Sequence, residues 1–69
     1  MEKTVRDPRK DPRPGDVVRV SEFGVPYIMT VTKRTKAGAT YQLNGTGVWC
    51  VLSAWINLTL MAEVLHAAD

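Results

Sequence analysis

From Val17 onward, apolar and polar positions alternate in short runs that suit strands better than helices. Val18 and Val20 share one face with Arg19 on the other, which predicts a first strand over residues 17–20, introduced by the turn signature Pro14-Gly15-Asp16. Ser21 to Pro26 reads as a loop, with Gly24 and Pro26 as its breakers. Tyr27 through Lys33 carries the clearest alternation: Tyr27, Met29 and Val31 face one way, Ile28, Thr30 and Thr32 the other, and most of these are β-branched or aromatic. Ala37-Gly38 then predicts a hairpin turn, residues 40–43 a third strand with Tyr41 and Leu43 on a common face, and Asn44-Gly45-Thr46-Gly47 a second hairpin whose residues tolerate positive φ.

Val48 to Leu52 is unbroken apolar sequence, so as a strand it requires cover on both faces. The cover expected is a helical piece over residues 54–58, either one or two α-turns capped by Ser53 or a single 3₁₀ turn, with Trp55 and Leu58 or Thr59 turned toward the barrel. Residues 62–65 supply the closing strand. Five short strands, two tight hairpins and a helical turn before the last strand describe a mainly all-β, SH3-like barrel over residues 14–69, with Val18, Met29, Val31, Tyr41 and Val64 in its core. Residues 1–13 are different in kind: Lys3, Arg6, Arg9, Lys10 and Arg13 interleave with Glu2, Asp7 and Asp11, and Pro8 and Pro12 deny the segment regular structure. A flexible arm is expected there.

A chain of 69 residues makes one small domain with little room for a deep substrate cleft. One cysteine, Cys50, excludes an internal disulfide, and no charged leader runs into an apolar stretch, so a cytoplasmic protein is expected. No uniform apolar span of membrane length occurs, because Ser53, Asn57, Thr59 and Glu63 interrupt the most apolar segment. Enzyme chemistry finds no constellation. His66 is the lone histidine, a triad with Ser53 and Asp69 would need a rigidity that nothing in the tail supplies, and one Cys and one His fall short of a metal set. Neither catalytic residue, cofactor nor metal is expected.

Two binding readings remain. The net charge of +2 is mild, yet Arg19, Lys33, Arg34 and Lys36 could gather at one end of the barrel, with Tyr27, Tyr41 or Trp49 as a stacking surface for nucleic acid or, more simply, as core. The protein-binding reading draws on residues 48–65, where all but Ser53, Asn57, Thr59 and Glu63 are apolar. So small a barrel cannot bury them all, and exposed apolar patches mark interfaces. Trp55, Ile56, Leu58, Leu60 and Met61 are the candidates, for self-association or for another protein, with Arg19, Lys33, Arg34 and Lys36 adding charge complementarity. Trp55 stands open to either role, barrel plug or interface.

The order Gly15-Asp16-Val17-Val18, then Gly24-Val25-Pro26 and Met29-Thr30-Val31, resembles small uncharacterised bacterial proteins with a G-D-x-V and G-G-P-x-M-T-V pattern. A second resemblance covers more of the chain. Residues 11–18 at the front, Leu52-Ser53-Ala54-Trp55 and then Ala62-Glu63-Val64-Leu65 at the back are similar to short proteins of tailed phages and prophages. It implies an SH3-like barrel, a phage origin and an accessory role in the host cytoplasm: binding to a host protein complex, such as a defence system, and inhibiting it by steric blockade.

Overall fold

The alternating segments form an antiparallel sheet in the computed structural model, which describes residues 6–22 and 24–68. Strands β1 (Val17–Glu22), β2 (Val25–Arg34), β3 (Gly38–Leu43) and β4 (Thr46–Val51) follow one another as a meander, helix α1 (Leu52–Leu58) crosses, and β5 (Glu63–His66) returns to pair with β1. The strand order is β4-β3-β2-β1-β5, the topology of a small SH3-like barrel. Both β1 and β2 are longer than the sequence pattern predicts. Ser21 pairs with Pro26 and Glu22 with Val25, so most of the expected first loop is ladder.

The second hairpin follows its turn chemistry: Asn44 and Gly45 take φ of 54° and 80° between the paired Leu43 and Thr46. At the first, Gly38 is not a turn residue but opens β3, where a Cβ would lie 2.0 Å from the Cys50 carbonyl oxygen. Only glycine lets β3 and β4 approach there. Val18, Met29, Val31, Ala39, Tyr41, Trp55 and Ala62 form the core, with Val20, Leu43, Val48 and Cys50 packed against it. Four of the five expected core residues are in place. Val64 is 37% exposed instead, because β5 is a four-residue edge strand with none of its residues buried.

Helix α1 starts at Leu52, with extended Val51 at its N-cap, so Ser53 lies inside the first turn and caps nothing. Its one buried side chain is Trp55, whose ring meets Tyr41 at 5.4 Å between centroids and a tilt of 52°, a favourable aromatic geometry.

The arm expected over residues 1–13 divides. Residues 1–5 lie outside the described residues, and from Arg6 the chain is a strap fastened to the barrel. Its fasteners are specific: Trp55 Nε1–H donates to the Pro8 carbonyl at 2.9 Å, and the Thr59 hydroxyl lies 3.0 Å from the Arg9 carbonyl. Pro8 and Pro12 are buried. The prolines that rule out helix and strand also lower the entropy lost when such a segment docks. At the far end of the strap, Arg6 grips Asp16, the fully buried carboxylate just before β1, by two hydrogen bonds of 2.6 and 2.9 Å. Asp16 also accepts from the backbone N–H of Arg13 at 2.8 Å and of Ala68 at 2.6 Å, while Arg6 donates to the carbonyls of Asp11 and Ala68. One buried ion pair thus ties strap, first strand and C-terminus together. Burial pushes the Asp16 carboxyl up, but the Arg6 guanidinium and the two N–H donors outweigh it and hold it below the usual carboxylate range.

Candidate partner-binding surface

The segment from Trp55 to Met61 does not form one patch. Trp55 is fully buried and is therefore core, not interface: its indole N–H and its ring are both satisfied inside the molecule. Half-buried Ile56, together with Leu60, Asp7, Arg9 and Lys10, lines a cleft of about 230 Å³ between helix and strap. Leu58 lines a separate groove of about 250 Å³ with Val20, Tyr27, Met29, Tyr41 and Leu43. Burial pushes the Tyr41 hydroxyl up. Leu60 and Met61 follow on the turn between α1 and β5, 62% and 91% exposed.

That turn is anchored on both sides. Thr59 is fully buried, its N–H donating to the Trp55 carbonyl at 2.9 Å and its hydroxyl lying 2.8 Å from the same oxygen. Ala62, 6% exposed, donates its N–H to the Thr59 carbonyl at 3.0 Å. Between two fixed points the intervening side chains have nowhere to go but outward. Leu60 and Met61 therefore form an exposed apolar ridge that continues from Leu58, the last residue of α1, which lines the tyrosine groove.

Of the four cations expected beside it, Arg19 stands apart, while Lys33, Arg34 and Lys36 lie together around the β2–β3 connection. Arg19 projects from the sheet on the β1–β5 side and pairs with Glu63. Arg34 folds onto its own hairpin, donating to the carbonyls of Thr35 and Gly38 and lying 3.6 Å from Asp11, while its Nε is shielded without a partner. Lys33 and Lys36 are exposed near the same hairpin. Every one of the five arginines has a carboxylate within 4 Å, with Arg6 on Asp16, Arg9 on Asp7 and Arg13 on Asp11 completing the set. On the enzyme side, Ser53 and His66 are both exposed on separate elements, and Asp69 lies outside the described residues.

Among the described residues the exposed aromatic is Trp49, for which the sequence pattern allows either a stacking surface or, more simply, core. It stands 50% exposed on the outer face of β4, with Val51 at 49% on the same face and Ile28 at 47% on β2. The double cover expected for the apolar run at 48–52 is thus present on one face only, where Val48 and Cys50 meet the core. An unbroken apolar run gives no period from which the outward positions could have been read.

Fold and surface together define a small β-barrel that presents apolar side chains on fixed backbone. Comparison with known proteins takes the class no further: no family model matches the chain, and neither curated proteins nor solved structures give a match. Among the described residues no helix is long and apolar enough to cross a membrane.

Proposed function

We propose that this protein is a non-enzymatic binding module that docks a partner protein on the Leu58, Leu60 and Met61 ridge and obstructs that partner sterically. On the resemblance to short phage and prophage proteins, the partner is a host complex, and inhibition of a host defence or replication assembly is the concrete case. One observation supports the reading above the others: Met61, 91% exposed, sits on a turn locked by buried Thr59 and Ala62. Large apolar side chains held rigidly in water gain nothing for the fold and supply an aromatic or aliphatic pocket on a partner with a pre-ordered anchor. The groove that Leu58 lines extends the apolar area.

The test is capture from a nuclease-treated host lysate by the tagged protein, compared with a Leu60→Asp/Met61→Asp variant of matched thermal stability, followed by reconstitution with the purified partner. The reading expects a defined protein retained by the wild type and lost by the variant. Retention only of nuclease-sensitive material, weakened by salt, would favour nucleic acid instead.

A further inference from the structure

The two edges of the sheet are protected very differently. Strand β5 is short, carries Glu63 and His66, and joins β1 through a register shift between Val17 and Val18, all features that discourage another strand from adding to it. Strand β4, Thr46-Gly47-Val48-Trp49-Cys50-Val51, has none of them. It holds no charge and no proline, pairs with β3 without a register break over all six residues, and shows Trp49 and Val51 half exposed on its outer face.

The phase of its free hydrogen-bonding groups follows from the hairpin. A two-residue turn makes Leu43 and Thr46 a hydrogen-bonded pair, and alternation makes Tyr41 and Val48, then Ala39 and Cys50, the next ones. The bond from Leu52 N–H to the Ala37 carbonyl, 2.9 Å, continues the same phase. Gly47, Trp49 and Val51 are then the residues whose N–H and C=O point away from β3.

From this we propose that β4 is a homodimer interface, in which two copies add edge to edge, antiparallel, about a two-fold axis at Trp49. A second copy matches the edge group for group and also sets a side-chain-free residue, Gly47, opposite the half-exposed Val51. With Trp49 opposite its own counterpart, Gly47 falls opposite Val51 of the other copy and Val51 opposite its Gly47, so every outward-directed backbone group of one strand meets one of the other. Side chains agree with the register. The two Trp49 rings lie side by side on the outer face, Val51 fills the space over the partner's side-chain-free Gly47, and no charge is brought opposite a like charge. The strand shares no residue with the Leu58–Met61 ridge, so dimerisation and partner docking can fail separately.

Sedimentation of the full chain over a range of concentrations, together with two charge variants, tests the register. Wild type should shift from 7.7 kDa to twice that mass as concentration rises. Trp49→Lys and Trp49→Glu should each stay monomeric, and their equimolar mixture should regain the dimer, because opposite charges then face each other at the axis. Gly47→Lys guards against misfolding as a cause: a Cβ at Gly47 meets nothing closer than Thr40 Cγ2 at 3.9 Å, so the fold accepts it, and it too should be monomeric. A wild type that is monomeric at every concentration, or a dimer that survives Gly47→Lys, overturns the proposal. Amide exchange at Gly47, Trp49 and Val51 that does not slow with concentration does the same.

Discussion

Replacing Arg6 by alanine tests the fastening of the strap at its strongest point. Asp16 is fully buried and the Arg6 side chain is 14% exposed, so the substitution leaves a carboxylate inside the protein with only the N–H groups of Arg13 and Ala68 to hold it. Breaking a buried pair from one side costs about 3–5 kcal/mol. The two surviving donors and the partial exposure of Arg6 place the expected loss near the lower end, about 3 kcal/mol. At about 0.05–0.15 kcal/mol per residue, a chain of this size has only about 3–10 kcal/mol in all. The melting temperature should therefore fall by roughly 10–25 °C, at about 4–8 °C per kcal/mol for a domain this small.

Urea titration followed by tryptophan fluorescence gives the free energy, and repeating it across acid pH gives the sign of the linkage. The folded Asp16 carboxyl titrates below its unfolded value of about 3.9, so its contribution is complete above that pH and disappears as pH falls through the folded value. Asp7, lowered by its hydrogen bonds from Arg9, titrates in the same direction but is too exposed to weigh much. Wild type should thus lose stability on acidification, and Arg6→Ala should start lower and lose less. A variant within about 0.5 kcal/mol of wild type at neutral pH, with an unchanged acid limb, would mean that residues 6–13 are a solvated tail.

Trp55→Ala should cost about 3–5 kcal/mol and leave little folded protein, whereas Trp55→Phe, which keeps a ring but loses the bond to the Pro8 carbonyl, should cost about 1 kcal/mol beyond repacking, as read by urea titration. Gly38→Ala should prevent folding or destabilise by more than about 3 kcal/mol, since its Cβ collides with backbone, while Gly47→Ala should stay within about 0.5 kcal/mol of wild type; circular dichroism melts distinguish them. The half-buried Cys50 thiol, pushed up by burial, should react slowly with a thiol reagent at neutral pH and rapidly once urea unfolds the chain.

What could be read in advance was what short-range pattern encodes. Period-two alternation located β1, β2 and β3, and Asn44-Gly45 placed the second hairpin, because face and turn chemistry depend on neighbouring residues alone. The two tryptophans show the limit. Trp49 and Trp55 sit in the same apolar stretch with no polar residue phasing the first, and which one faces water was decided by where α1 begins. The strap was hidden for another reason: its composition is that of a disordered tail, and what holds it is a few bonds to distant groups, Pro8 to Trp55 and Arg6 to Ala68, that no local rule anticipates. The same holds for Arg19 and Arg34. Read as free charges for a partner, they are engaged by Glu63 and Asp11 across long separations in sequence.

The ridge itself is tested most directly by measuring, calorimetrically, the affinity of a purified protein partner for wild type and for Leu60→Asp/Met61→Asp. Both positions are exposed, at 62% and 91%, so the variant should melt within a few degrees of wild type. An affinity lower by about 2 kcal/mol or more, roughly thirtyfold, is the predicted result. Equal affinity of two equally folded proteins would contradict the ridge as the docking surface.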